Sequence, residues 1–408
     1  MQRLDRLTER LNLKEFQLRA LLEVTKAINA NVGRDDLLRL YGDIVRHELG
    51  ITRLMLFERT TTWACILAFG TQGEERTIDV DAASGSYGDI QLIGPEQEAQ
   101  LGGFDIAVPV SHEDRPLAFL FIGDIDEGEQ RMSPTVKHLN FIQTLTNLIV
   151  VALENQRLNR QALQQERDKR ELELAAEMQS MLVPDALPSE GPFRAAAWYQ
   201  PHRQVGGDYY DVIRVGTDEV VIVIADVSGK GIAAALLMSN FQATLRALVQ
   251  YSDDPLDELV HDLNDKVFSS ARGERFITAF IGRMDLRTGR LQYVNAGHNP
   301  PLLLGNDLGE LSTGSIALGM MPKLPFMQVG GTELSSGALL LCYTDGLVEQ
   351  EDTQGNAFGT DPLRRAMEHL RSGGPDDLVR AVVAHFDAHR GTEPYLDDIA
   401  VLACRLDQ

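Results

Sequence analysis

Five short segments in the second half of the sequence set a polar group at the end of an apolar run. They are VGGDYYD with Asp208 and Asp211, VVIVIADVSGKG with Asp226, NAGHNPP with His298, LLLCYTDGL with Asp345, and LDDIAVLA with Asp397 and Asp398. A carboxylate at the end of a buried strand is costly to desolvate unless a cation or hydrogen bonds compensate it. One such aspartate is ordinarily a turn residue or a helix cap. Asp208, Asp226, Asp345 and Asp397 together in one region point instead to a cation site. Oxygen donors without clustered His or Cys suit a hard cation, Mg²⁺ or Mn²⁺, and argue against zinc. Two such cations bridged by carboxylates acidify a bound water and stabilise both the attacking and the leaving oxygen of an in-line phosphoryl displacement. No side-chain nucleophile is called for. None is signalled either: GxSxG is absent, and Cys342 and Cys404 lie within apolar runs.

The elements that must position these groups are apolar runs of strand length, separated by Gly-containing turns. Between them, Leu256, Leu259, Val260, Leu263, Val267 and Phe268 define one face of a helix starting near Pro255. Upstream the pattern changes. Residues from about 150 to 183 read as one long polar helix, ended by Pro184 and Pro188. A seam of period 3.5 runs through Asn155, Leu158, Ala162, Gln165, Lys169, Leu172, Ala176 and Gln179. Half of it is polar, which predicts a weak coiled coil pairing two chains; the competing reading is a solvated spacer helix held by i,i+4 ion pairs. Before it, Leu18, Leu21, Leu22, Thr25 and Ile28 share a helical face, and Leu37, Leu38, Tyr41, Ile44, Val45 and Leu49 share another. Strand-like RLMLFE, WACILAFG, FDIAVPV and LAFLFIG follow, then a helix from about Ser133.

With 408 residues the chain has room for two domains, and its balance of 38 basic against 60 acidic residues gives a net charge of −22. That field repels a phosphate backbone and argues against nucleic-acid binding. No run approaches the roughly 18 consecutive apolar residues of a membrane span, and the N-terminus has no secretory pattern. Three scattered cysteines, Cys65, Cys342 and Cys404, fit a reduced, cytoplasmic setting.

Helix, helix, strands and a closing helix over residues 15–155 resemble a GAF domain, a small sensory module. The cyclic-nucleotide signature of some GAF domains is not evident, so the ligand is unknown, and Cys65 reads as core rather than as a chromophore anchor. Residues 185–408 resemble the SpoIIE-like (RsbU-like) branch of the metal-dependent PPM protein phosphatases. The resemblance runs in order through QPHRQVGGDYYD, ADVSGKGIAAALLM, RFITAFIG, LQYVNAGHNPPLLL, YTDGLVEQEDTQGNAFG and YLDDIAVLACR, and LAAEMQSMLVPDALP resembles the helix that leads into such domains.

The resemblance implies an α+β chain in three parts: a GAF-like α/β/α domain over 1–152, a helical linker over 153–184, and a PPM-type β-sandwich flanked by helices over 185–408. It implies two Mn²⁺ or Mg²⁺ ions, with Asp226 bridging both, the Val227 carbonyl facing one, Asp208 a ligand of one, and Asp345 and Asp397 completing the ligand set of the second ion. Asp398 would orient its surroundings. Gly206 and Gly207 would let the backbone turn before Asp208, as Gly229 and Gly231 would after Asp226. For the substrate phosphate, Arg203 and Lys230 are candidates, Arg203 against its reading as a surface residue. His298 is a candidate general acid against its reading as a hydrogen-bonding turn residue. The implied activity is hydrolysis of protein phosphoserine or phosphothreonine, with a phosphorylated anti-sigma-factor antagonist of the STAS fold as the typical substrate and a homodimer joined through the linker. A catalytically silent scaffold is the alternative. A diguanylate cyclase, suggested by GGD alone, lacks the active-site pentapeptide and leaves TDG and DDIA unexplained.

Overall fold

The computed structural model describes residues 2–73, 78–81, 90–93, 104–112, 115–123, 134–184, 186–188, 191–202, 204–252 and 254–407. The chain divides into two compact units, Met1–Glu166 and Arg167–Gln408. Both mix helices with antiparallel sheet, so the architecture is α+β.

In the first unit, helices α1 (Gln2–Asn29) and α2 (Arg34–Asp43) precede strands β1 (Arg53–Arg59), β2 (Trp63–Phe69), β3 (Gln91–Leu92), β4 (Ile106–His112) and β5 (Arg115–Gly123). The strands form one antiparallel sheet in the order β2-β1-β5-β4-β3. Period-two alternation divides its side chains. Leu54, Leu56, Leu120 and Ile122 meet the helices, while Met55, Phe57, Phe119 and Phe121 build an aromatic cluster on the other face. Cys65 packs against that second cluster. The face expected of α1 needs correction. Leu18 and Leu22 are exposed, and Ala20 and Val24 are buried, with Phe16, Leu21, Ala27 and Ile28 packed beside them. Packing on α2, and of Phe16 on Phe141, thus selects a stripe rotated from the one leucine content alone suggests, and Leu7, Leu11, Leu18 and Leu22 face outward.

Helix α3 (Pro134–Ser180) runs unbroken through the polar linker segment. It ends at Ser180, before Pro184; the Leu182 amide closes a turn onto the Gln179 carbonyl. Residues 158–171 are exposed along their whole length. Lys169 and Glu173 make an i,i+4 pair at 3.7 Å. Of the heptad seam, Leu172 and Ala176 are half-buried and Gln179 is buried within the same chain.

The second unit is four layers. One sheet contains β7 (Tyr209–Val215), β8 (Glu219–Val227), β9 (Ile277–Asp285), β10 (Arg290–Ala296), β13 (Gly314–Ser315) and β14 (Gly330–Glu333). The other contains β6 (Phe193–Gln200), β11 (Leu302–Leu304), β12 (Leu308–Glu310), β15 (Ala338–Tyr343) and β16 (Ile399–Leu406). Alternation again sorts the residues. In β8, Val220, Ile222 and Ile224 enter the inter-sheet core, where they join Cys342, Leu402 and Cys404. Val221, Val223 and Ala225 face α4 (Ile232–Tyr251) and α5 (Leu256–Ala271). On the other side, Leu339, Leu341, Ile399 and Val401 face α7 (Asp361–His369) and α8 (Pro375–Arg390); a single short turn, α6 (Asp345–Val348), follows β15. The face predicted for α5 is buried from Leu256 to Val267, Phe268 being half-buried, and Asn264 joins it: its carboxamide accepts from the Gly319 amide and donates to the Met321 carbonyl.

Helix α4 is long and apolar enough by length and composition to cross a membrane. Here Ala234, Met238, Phe241, Leu245 and Val249 lie against the sheet, so its hydrophobicity is that of a core helix. Arg246 anchors it to β7: Nε and Nη2 donate to Asp211 at 2.7 and 3.0 Å, and Asp211, fully buried, also accepts from the Tyr209 hydroxyl and the Val212 amide. Asp211 is therefore committed to an ion pair that locks the fold.

Candidate functional site

Antiparallel pairing explains how aspartates far apart in sequence meet. Tyr209 pairs with Ala225, so Asp208, just before β7, lies at the same sheet end as Asp226, near the close of β8. In the second sheet, Tyr343 pairs with Val401, which puts Asp345, just past β15, beside Asp397 and Asp398, just before β16. Asp398 ties the two sheets together at this end. Its Oδ2 accepts the Gly207 amide at 2.6 Å and its Oδ1 the His202 amide at 2.7 Å.

The electrostatics follow from crowding and burial. Asp208 is 1% exposed, and its Oδ2 has no hydrogen-bond partner. Burial, then the negative charge of Asp226, push its pKa well above the ordinary carboxylate range, with the Thr344 hydroxyl opposing. Asp226 is raised to about 7 by burial and by Asp345 and Asp397. Asp345 is raised by burial, Glu349 and Asp397. Asp398 is raised by burial, against which its two backbone hydrogen bonds work. A set of carboxylates that mutually disfavour ionisation, with one buried oxygen unpartnered, is a donor set suited to hard cations. Among the described residues, no group of three or more His, Cys, Asp or Glu side chains already stands at the distances of a single cation's shell. Part of the reason is Lys230, whose ammonium donates to the Leu396 carbonyl at 2.6 Å and lies 2.8 Å from Asp397 Oδ2. The candidate phosphate group Lys230 is thus at the site, paired with a candidate ligand. Arg203 lies outside the described residues.

His298 is drawn away from acid–base work. It is buried, its Nδ1 stands 3.0 Å from the Thr278 hydroxyl, and its amide donates to Asn295 Oδ1 at 2.8 Å. Burial pulls its pKa down to about 4, so the ring is neutral near pH 7. The glycines also read differently in three dimensions. Gly229 (φ 89°) and Gly231 (φ 77°) adopt the left-handed backbone expected of them. Gly206 and Gly207 do not; they are glycines for want of space. A Cβ on Gly206 would stand 2.2 Å from the Tyr199 hydroxyl, and one on Gly207 would stand 3.1 Å from the Val227 carbonyl oxygen. Sequence reasoning assigned no role to Thr344, Glu349 and Gln179 around this end. Thr344 and Glu349 lie in the YTDGLVEQ segment beside Asp345, and that proximity was the available signal; Gln179 is brought in from a distant segment.

Comparison with known proteins agrees with this architecture. Residues 216–407 match the family model described as Stage II sporulation protein E (SpoIIE), a span that includes Asp226, Asp345 and Asp397 and begins after Asp208. The SiaA-PP2C domain of Pseudomonas aeruginosa superimposes with a TM-score of 0.53 at 21% identity, covering 60% of this chain and 99% of that one. The second unit thus shares the fold of that PP2C domain, and residues 216–407 are similar to the SpoIIE family. Its sequence relatives include the phosphoserine phosphatase RsbU of Bacillus subtilis, 29% identical over 215 residues (52% of this chain, 63% of that protein), and protein IcfG of Synechocystis, 28% identical over 266 residues (57% and 41%). The phosphoserine phosphatase RsbP of B. subtilis is 29% identical over 187 residues, 44% of this chain and 46% of that protein. The chain spans between two fifths and two thirds of the length of these relatives.

Proposed function

We propose that the second unit hydrolyses phosphoserine or phosphothreonine on a protein, using two Mn²⁺ or Mg²⁺ ions. The observation that carries this reading is the convergence of Asp208, Asp226, Asp345 and Asp397 at one end of the sandwich, with Asp208 Oδ2 buried and unpartnered. Asp226 and the Val227 carbonyl would hold cations in common with Asp208 on one side and with Asp345 and Asp397 on the other. Bound there, such ions supply an acidified water and neutralise phosphoryl oxygens. The chain's own residues do the rest. Asp398 fixes the backbone before Asp208, and Lys230, released from Asp397, is placed to meet a phosphate. No covalent intermediate is needed, and His298, neutral and enclosed, takes no proton role. The names of RsbU and RsbP favour a phosphoserine substrate in signalling, and we assign a phosphorylated STAS-type antagonist as its class. Purified protein should cleave a phosphoserine-peptide reporter with Mn²⁺ and lose that activity in excess chelator. Chelator-insensitive cleavage would sink the metal assignment, and no cleavage with any divalent cation would leave the silent scaffold.

We further propose that the first unit (1–152) is a GAF-like sensory domain acting on the phosphatase through the helical segment 153–184 in a cytoplasmic homodimer. The exposed stretch 158–171 supports pairing of two helices. A chain lacking residues 1–150 keeps this helix; it should remain dimeric by light scattering and differ from the full chain in reporter rate by about fivefold or more, a coupling of the usual regulatory size. A rate identical to that of the full chain would reduce the helix to a tether.

A further inference from the structure

Gln179 lies on the last turn of α3, 27 residues before the glycine pair and outside the aspartate-bearing segments. Its side chain is buried and makes two hydrogen bonds to a single residue: Nε2 donates to the Gly206 carbonyl at 2.5 Å, and Oε1 accepts the Gly206 amide at 3.1 Å. A carboxamide used this way imitates a neighbouring strand, satisfying both polar groups of one residue. On its other side Gly206 is closed in by the Tyr199 hydroxyl and the Asp398 carboxylate. The next amide, Gly207, donates to Asp398 Oδ2, and the next side chain is Asp208. The segment carrying Asp208 is therefore gripped between Gln179 and Asp398. The end of α3 is itself seated in this unit: the Leu182 carbonyl accepts from Gln242 at 3.4 Å, and Val183 enters the inter-sheet core.

We infer that Gln179 is a positioning residue, through which the last turn of α3 sets the placement of Asp208 at the cation site. The inference rests on the reading of Asp208 as a metal ligand. A rotation or slide of that turn removes both hydrogen bonds at once, because they belong to one side chain. A cleft of about 350 Å³ beside it, lined by Ala176, Ser180, Val183, Tyr199 and Gln204, leaves room for such a movement.

The test is Mn²⁺ affinity of the full chain by titration calorimetry, with urea stability measured in parallel. Gln179→Leu keeps the side-chain bulk and removes both hydrogen bonds; it should weaken Mn²⁺ binding by about fivefold to tenfold, the scale of one net hydrogen bond. Arg246→Met, a lesion in the same unit that leaves the Gly206 contacts in place, should lower urea stability yet leave Mn²⁺ affinity unchanged. Should Gln179→Leu not fold cooperatively, Gln179→Glu carries the comparison, since it keeps the acceptor for the Gly206 amide and loses the donor. Wild-type affinity in the Gln179 variant overturns the inference, as does an equal loss in Arg246→Met, which would mark a general effect of destabilisation. If the wild-type chain binds no Mn²⁺, the metal-site reading fails first and takes this inference with it.

Discussion

Asp226→Asn is expected to lower Mn²⁺-supported reporter hydrolysis by about a thousandfold, because in the proposed site Asp226 would be shared by two cations that supply several kcal/mol of transition-state charge stabilisation. The same substitution should not unfold the protein. Asp226 is raised from 3.8 to about 7 by burial and by its acidic neighbours, so its ionised form is disfavoured in the folded state. A folded-state pKa above the unfolded one contributes stability that is complete below about pH 4 and is lost as pH rises through about 7. In metal-free buffer at pH 8, the neutral amide should therefore give a melting temperature at or above wild type. Cations compete with protons for the same oxygens, so Mn²⁺ should raise the wild-type melting temperature more at pH 8 than at pH 6 and release protons on binding. Retention of Mn²⁺-dependent hydrolysis in Asp226→Asn would remove the central ligand from the proposal. A melting temperature well below wild type without metal would recast Asp226 as structural.

The second large effect concerns stability. Arg246→Met should cost about 3–5 kcal/mol in urea denaturation, because it strands the fully buried Asp211 carboxylate without its cation. Asp211→Asn should cost less, about 1–3 kcal/mol. The amide still accepts the Val212 hydrogen bond, and Arg246, about half exposed, can turn to water. The order of the two is the informative quantity. If Asp211→Asn were the more damaging, the pair would not be limited by desolvation of the carboxylate. Either variant, metal-loaded and folded, should keep the reporter kcat of wild type, which separates Asp211 from Asp208 although they lie three residues apart in one motif.

Much of this protein is written locally. Alternation in VVIVIAD and LLLCY specifies strands with two apolar faces, and such strands must be covered on both sides, which is the sandwich with its outer helices. The aspartates could be picked out because a charge at the end of such a run needs a reason. Gly229 and Gly231 were legible as turn glycines because their demand is on their own φ. What the sequence could not express is anything that depends on a neighbour from elsewhere in the chain. Asp211 and Asp208 look alike in VGGDYYD, and only the arrival of Arg246 from α4 makes one an ion pair. Gly206 and Gly207 look like turn formers, but they are small because Tyr199 and Val227 crowd them. The stripe that α1 buries is chosen by the helices it packs against rather than by where its leucines fall. Gln179 looks like a polar seam position, and the fold spends it on Gly206. The sequence by itself determined strand faces and chemical type, which follow from periodicity and the cost of burying charge. The tertiary structure decided which carboxylates meet and which are neutralised, since that depends on distances between segments up to about two hundred residues apart.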